Sequence, residues 1–494
     1  MPDPKLSRRL SGIDAAFLYL ERREIPLAIA GVFILDGPIP FDEFVATIDS
    51  KLHLIPRYRQ VVVPPAFHLG HPTWEDYPRF DIRRHIHRVD LPAPGGEAEL
   101  EALAGRLFSQ VMDRNKPLWE IHVVDGLSGG RGALIARVHH ALADGIAGAA
   151  LLKIMFAPRP EDSHAIPKPP VQRPAQPAPD HSLVEAVASA IHSSLKNMIA
   201  AEAALLDFAQ ALLTDRMQAG VQSFLKLMPE WAKPVERLPF NRPCGGERKF
   251  CWTAIDFSDV QAIRESLGGT VNDVVLSVVT RAVARYTKWH GQPVANRHVW
   301  IVCPVNVRTD DQQGSLGNQI TFLPVVLPLG VKDPGDLLRA VTLRMEIMKS
   351  VRAAELVAIL AAWIGAAPPP MQALFWEGLP LLPLPVPLFN LICTNIPGSP
   401  EPLYSVGRRI IASYPQVPTG YELGVGIAVQ SYAGRMFFGL TADAEAAGDV
   451  TRLRDYLQAS FRDLCRAAGI RKPRRGAGIQ PAGKAPTRLA ATAD

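Results

Sequence analysis

The sequence predicts an α/β protein with two subdomains joined by a helical linker. Three observations carry this. Strand-like and helical runs alternate on both sides of a proline-rich break. A long proline-free helical stretch follows that break. The chain has 494 residues, more than a single hydrophobic core organises. The expected divisions are an N-terminal subdomain over 1–157, a linker over 158–235, a second subdomain over 236–470 and a basic, disordered tail over 471–494.

In chain order, residues 7–157 read as mixed strand and helix. Within them, 118–124 and 133–140 have the look of strands, with the turn residues of 126–132 between them, and should pair as a hairpin. The segment 158–180 holds eight prolines among polar residues and cannot continue any element. Ser182-Leu183-Val184-Glu185 offers a capping box. Apolar Val184, Val187, Ile191, Leu195, Met198 and Ile199 then recur at helical intervals, so a long helix or a pair of helices should bridge the halves.

Beyond residue 238 the pattern predicts a strand at 250–255 and a helix at 258–267 opened by Ser258 and Gln261. A second helix should span 271–289, where Val271, Val274, Val275, Val278, Val279, Ala282 and Val283 keep a core-facing 3.6-residue period. Further strands are expected at 298–302, 322–327, 388–394, 425–432 and 435–441, the last two joined by a tight Ala433-Gly434 turn.

Composition narrows the function classes. Hydrophobic residues make up 48%, as in a globular protein. The formal net charge of +5 sits entirely in the last 24 residues, so the body is near neutral and nothing argues for nucleic acid. The five cysteines are odd in number and scattered, which favours free thiols in a reducing compartment. Asp14, Glu21 and Glu24 interrupt any apolar signal core, and the protein is read as cytoplasmic. The apolar segment 356–390 is broken by Gly365, Glu377 and repeated prolines, which suggests either buried core or a surface that touches lipid.

The chemistry concentrates in His139-His140-Ala141-Leu142-Ala143-Asp144-Gly145, at the end of the second hairpin strand. Alternation turns His139 and His140 to opposite faces, so only one of them can serve a given site. An imidazole with a pKa of about 6.5 can take a proton from a hydroxyl attacking a thioester carbonyl. Asp144 could cap the following helix or pair with an arginine, and Gly145 permits unusual dihedrals and close approach of a ligand. The alternative is two core histidines and an ordinary strand-to-helix turn. A metal centre is disfavoured, because the opposed histidines leave too few ligands. No G-x-S-x-G nucleophile elbow occurs, so a serine hydrolase is unsupported.

Further motifs accompany the histidines in a fixed order. They are Leu10-Ser11-Gly12-Ile13-Asp14-Ala15-Ala16-Phe17-Leu18, Pro56-Arg57-Tyr58-Arg59, Trp74-Glu75-Asp76, Phe80-Asp81, His85 and Pro117-Leu118-Trp119-Glu120. Later come Asn272-Asp273-Val274-Val275-Leu276, Pro304-Val305-Asn306-Val307-Arg308, Leu316-Gly317-Asn318-Gln319 and Thr394-Asn395-Ile396-Pro397-Gly398. With these the chain resembles, over almost its whole length, the bacterial wax ester synthase/acyl-CoA:diacylglycerol acyltransferase family.

The resemblance implies two chloramphenicol-acetyltransferase-like subdomains with mixed sheets and a tunnel between them. It also implies O-acyl transfer from acyl-CoA to diacylglycerol or a long-chain alcohol without an acyl-enzyme. By the same resemblance His140 is the general base, Asp144 organises the loop, and Gly145 leaves room for the pantetheine arm. Asn272 and Asp273 match a second family motif, where helix capping and substrate contact are both open and structure is favoured for Asp273. The implied partners are acyl-CoA, a greasy acceptor and a membrane or lipid-droplet surface, with peripheral attachment and no resident cofactor.

The chain departs from the family in carrying Leu27-Ala28 where a methionine-histidine pair is common, and in an unusually apolar stretch around Pro368 and Leu384. Two other readings stand beside this one: a condensation-type acyltransferase taking a carrier-bound thioester, and a lipid-binding protein without chemistry.

Overall fold

The computed structural model describes residues 8–65, 70–142, 147–168, 183–306, 320–382 and 386–470. Two six-stranded mixed sheets organise them. The first runs in the order Tyr404–Ser405, Arg408–Gln416, Ala28–Leu35, Arg131–His139, Trp119–Leu127, Ile86–Asp90. The second runs Arg248–Asp256, Arg435–Asp443, Val425–Tyr432, Leu391–Pro397, His298–Asn306, Ile320–Pro328. Each sheet has its own apolar core. The expected α/β class with mixed sheets is what the chain forms.

The expected hairpin is present. Trp119–Leu127 and Arg131–His139 pair antiparallel, with Trp119 opposite Val138 and Ile121 opposite Ala136. The second core is sealed by Val271–Trp289, which occupies the expected span and buries Val274, Val275, Val278, Val279, Ala282 and Val283. Against the same sheet Val450–Ala467 sets Leu453, Leu457, Phe461 and Leu464 into the core at helical spacing. The strands 425–432 and 435–443 are joined by Ala433 and Gly434, at φ 45° and 80°. Two successive positive φ values match the twist of a two-residue hairpin.

Several local readings shift. The helix expected to open at Ser258 runs Phe257–Leu267 with Asp256 at its N-cap, and no side chain bonds the first-turn amides. The strand Arg248–Asp256 delivers the Phe257 amide to the Gly434 carbonyl, so a backbone bond to the hairpin turn, and no capping box, holds the start of this helix. The strand expected at 388–394 lies at Leu391–Pro397, because Asn390 is spent on cross-links: its side chain accepts from the Trp300 amide and donates to the Glu236 carbonyl.

The linker forms Leu183–Ala211, Asp215–Leu225 and Met228–Trp231, while the proposed cap at Ser182 and the prolines of 169–182 fall outside the described residues. The helical spacing of the apolar residues is borne out by the long helix, and part of its stripe faces outward. Leu195, Met198, Ile199 and Leu206 are exposed, the last by 62%. A 3.6 period identifies an apolar face and leaves open what covers it.

The largest departure is the strand Arg408–Gln416. Although it belongs to the second half of the sequence, it hydrogen-bonds to Ala28–Leu35 and so completes the first sheet. Its other side packs on the second sheet: Ser413 donates to Gln430 at 2.7 Å and Tyr414 stacks on Trp252 with ring centroids 4.8 Å apart. The linker therefore does not divide the sheets. A second tie is the buried Arg248–Asp443 ion pair. Arg248 also donates to the carbonyls of Glu24 and Thr419, both at 2.8 Å, and Asp443 accepts the amides of Gly246, Glu445 and Ala446. With so many hydrogen bonds satisfied, the charges tolerate burial.

The bridging strand requires a glycine opposite it. A Cβ at Gly439 would lie 1.9 Å from the Pro415 carbonyl oxygen, a backbone atom that cannot swing away. Gly439→Ala should destabilise the protein by about 2–3 kcal/mol in urea denaturation. An unchanged midpoint would show that the two sheets do not depend on this contact.

Candidate active site around the paired histidines

His139 and His140 sit where the histidine strand leaves the sheet. Their amides point in opposite directions: His139 N–H donates to the Leu118 carbonyl at 3.0 Å, and His140 N–H to the Leu27 carbonyl at 2.9 Å. The side chains diverge in the same way, as alternation requires. Leu27-Ala28, the departure from the resembled family, meets both histidines through backbone, since Ala28 pairs directly with His139.

His139 is fully buried and fixed in one tautomer. The Ala141 amide donates to its Nδ1 at 3.0 Å, which places the proton on Nε2, 3.3 Å from the Glu21 carboxylate. Glu21 in turn accepts the Leu27 amide at 3.1 Å and Arg114 at 3.2 Å. Burial alone would raise the Glu21 carboxyl, but His139, the Leu27 amide and Arg114 outweigh it and hold its pKa below the usual value. With both nitrogens engaged, His139 is an anchor.

His140 has a different environment. Phe17, from the helix Gly12–Leu20, stacks on its ring with centroids 3.8 Å apart and planes 15° apart. Nδ1 is buried and, among the described residues, faces only its own backbone carbonyl. Burial pushes the imidazole down to about 4, with neighbouring His139 adding to the fall. A ring in this setting is neutral at physiological pH.

The helix Gly12–Leu20 thus reaches both histidines. Ser11 caps it by accepting the Asp14 amide, Phe17 faces His140, and Glu21 follows at its end. The motif residues Phe80, His85 and Trp119 form a ring stack, with centroid distances of 5.3 Å and 4.7 Å, and the Trp119 indole donates to the Tyr58 carbonyl at 2.8 Å. Glu120 holds Lys116 at 2.9 Å and the buried Arg137 at 3.5 Å. These motif positions brace the strand Trp119–Leu127, which pairs with the histidine strand.

Asp144 and Gly145 fall outside the described residues, as do Val307, Arg308 and the 316–319 motif. Asp273 is placed: its carboxylate accepts the Thr270 amide at 2.8 Å while Thr270 Oγ1 accepts the Asp273 amide at 3.2 Å. That is a capping box on the helix Val271–Trp289 in the second core, a structural role. Asn272 is half-buried beside it, and none of the described hydrogen bonds or ring contacts joins either residue to His140. Among the described residues no group of three or more His, Cys, Asp or Glu side chains could hold a metal ion.

Sequence reasoning missed Phe17 as a partner of His140, and it missed Glu21 and Arg114 entirely. Phe17 lay inside a quoted motif, but nothing in its spacing indicated the contact. Glu21 meets its histidine only through tertiary structure.

The wax ester synthase/diacylglycerol acyltransferase catalytic domain model matches residues 10–275, and the C-terminal domain model of the same family matches 316–465. The chain belongs to the wax ester synthase/diacylglycerol acyltransferase family. A Mycobacterium tuberculosis protein named as a diacylglycerol O-acyltransferase is 30% identical over 92% of this chain and 90% of its own length. Another protein of that species bearing the same enzyme name is 28% identical over 95% and 98%.

Among solved structures, the wax ester synthase/diacylglycerol acyltransferase of Marinobacter aquaeolei VT8 shares the fold with a TM-score of 0.64, 24% identity, and coverage of 93% of this chain and 100% of that one. A mutant starter condensation domain of rhizomide synthetase, in complex with C8-CoA and Leu-SNAC, shares it with a TM-score of 0.53, 14% identity and 94% coverage of both chains. The chain is an acyltransferase of this family.

Burial of its histidines makes the family member's stability depend on pH. His71, His85 and His140 are all pushed to about 4 by burial. An unfolded histidine titrates near 6.5, so between about pH 6.5 and 4 unfolding takes up protons and stability falls as the pH falls. Each histidine contributes a slope of up to about 1.4 kcal/mol per pH unit. Urea denaturation at pH 7, 6 and 5 should show the decline, and His85→Phe, which keeps a ring between Phe80 and Trp119, should flatten it. A slope indifferent to that substitution would contradict the assignment.

Proposed function

We propose that the enzyme transfers a long acyl chain from coenzyme A to the hydroxyl of diacylglycerol, making triacylglycerol, with long-chain alcohols as further acceptors. The observation that carries this reading is the unequal treatment of two adjacent histidines. One is locked to Glu21, and the other is neutral and stacked on Phe17. The family, and the enzyme name borne by its mycobacterial relatives, supply the substrate class.

In the proposed step His140 presents Nε2 to the acceptor, because Nδ1 is turned inward. As the hydroxyl oxygen attacks the thioester carbonyl, its proton passes to Nε2 and negative charge develops on the carbonyl oxygen. The C–S bond then breaks, the imidazolium returns the proton to the departing thiolate, and ester and free coenzyme A leave. A depressed pKa suits the second half of this cycle. An imidazolium of pKa about 4 readily protonates a thiolate whose conjugate acid lies near 8.5. The same weakness as a base means that the proton moves only as the new C–O bond forms, so positioning must supply much of the acceleration. Asp144 and Gly145 are assigned, by the motif, to organising the loop and admitting the pantetheine arm.

The relatives of similar fold include a condensation domain, so a carrier-bound thioester is the natural competing donor. Purified enzyme given acyl-CoA and diacylglycerol should release coenzyme A and triacylglycerol. His140→Ala should lower kcat by about 10²- to 10⁴-fold with the fold intact by circular dichroism. Intact-protein mass spectrometry during turnover should find no acylated species. Full activity in His140→Ala, a trapped acyl-enzyme, or preference for a carrier-bound donor would each overturn a separate part of the reading.

A further inference from the structure

Resting on the reading that the acceptor is a lipid, we propose that the bent helix pair Ala353–Ala366 and Pro369–Gly378, with the neighbouring long linker helix, is the surface by which the enzyme lies on a phospholipid bilayer. Monomeric proteins rarely leave large contiguous apolar patches in water. Here Leu356, Leu360, Trp363 and Ile364 line one exposed side of the first helix at i, i+4, i+7 and i+8. After the bend, Met371, Leu374 and Phe375 do the same, with Leu374 75% exposed. The linker helix Leu183–Ala211 packs beside the first of these with its own outward stripe.

Residues 356–376 contain no charged side chain, and neither do 378–400. No single described helix is long and apolar enough to cross a membrane, and the two helices meet at 116°, which fits shallow insertion rather than a straight span. Few charges border the face: Arg352 pairs with Glu355 and, at 3.6 Å, with Asp207, and Glu377 divides the two uncharged runs. A face with two long uncharged runs and no excess of basic residues beside them selects the apolar interior of a bilayer and gains nothing from anionic headgroups.

The face is also tied mechanically to the site. Gln372 is buried at the corner and donates to the Gly365 and Ala367 carbonyls at 2.9 Å and 2.6 Å, which fixes the bend. A Cβ on Gly12 would come within 2.7 Å of Gln372 Oε1, so the corner abuts the start of the helix that carries Phe17. At the other end Arg22 donates to the Glu377 carbonyl. The second helix of the pair is thus clamped along the helix Gly12–Leu20, one element away from His140. A hydrophobic acceptor entering from the bilayer at this face would meet that helix next.

The test is sedimentation with phosphatidylcholine vesicles containing 10 mol% dioleoylglycerol, without acyl-CoA, so that binding is read apart from catalysis. The full chain should co-sediment equally at 0.05 and 0.5 M salt. Leu360→Glu with Leu374→Glu, both at exposed positions, should bind at least 10-fold more weakly. The same variant should keep its turnover on a micelle-dispersed short-chain diacylglycerol and lose it on vesicles. Unchanged vesicle binding in the variant, or binding abolished by salt, would overturn the proposal. So would a stable dimer in solution that the variant splits while vesicle binding persists, since a second copy would then be the occupant. If the variant binds as proposed but no diacylglycerol is acylated in any form, the acceptor assignment fails and the docking face stands.

Discussion

The register of one strand, Ala28–Leu35, holds the paired-histidine arrangement together. On one side it pairs with the histidine strand, Ala28 opposite His139, and on the other with Arg408–Gln416, Ala30 opposite Gln416. Side chains alternate along a strand, so a slip of one residue on the histidine side would carry His139 away from Glu21 and turn His140 off Phe17. The same strand receives the bridging strand from the far half of the chain, whose other side packs on the second sheet. The geometry of two adjacent side chains therefore depends on the docking of two halves that the sequence separates by a linker.

Electrostatics divides the labour between the histidines. A carboxylate as buried as Glu21 is expensive unless its oxygens are satisfied. The Leu27 amide, Arg114 and His139 satisfy them, and each of these contacts also fixes something the site needs: the entry to the central strand, the end of the first helix and the end of the histidine strand. Among the described residues His140 receives no such charge. It is left with an aromatic face and its own carbonyl, and its basicity falls. An imidazole paired to Glu21 would be held as a cation or a fixed donor. One that is merely packed keeps a lone pair for substrate.

What the sequence made legible is what short-range periodicity encodes. The helix Val271–Trp289 and the strand Val425–Tyr432 occupy their expected spans because the apolar pattern and its end signals agree there. The helix expected from Ser258 begins one residue earlier, at Phe257, and only its Ser-x-x-Gln capping box was misread, since no side chain bonds the first-turn amides. Arg408–Gln416 gave no strand signal: it opens with two arginines, contains Pro415, and has its partner almost four hundred residues earlier. Glu21 was invisible for the same reason, since no spacing rule links it to His139. The spacing of Leu195, Met198 and Ile199 made the long helix legible and left open that these side chains are exposed, because amphipathicity measures the helix and not its neighbour.

The absence of an acyl-enzyme, as proposed, sets a selectivity problem that the fold has to solve. A base that activates an alcohol against a thioester will activate water as well, and water is far more abundant. A site of this kind gains specificity by admitting the acceptor from a phase that contains little water. The low basicity of His140 then acts in the same direction: an imidazole of pKa about 4 does not hold hydroxide-like water ready for attack, and takes a proton only when a nucleophile is already bound in line with the carbonyl. On the proposed mechanism, desolvation of the His140 ring and exposure of an apolar face, which look like opposite departures from ordinary protein design, are two parts of one arrangement for excluding water from acyl transfer.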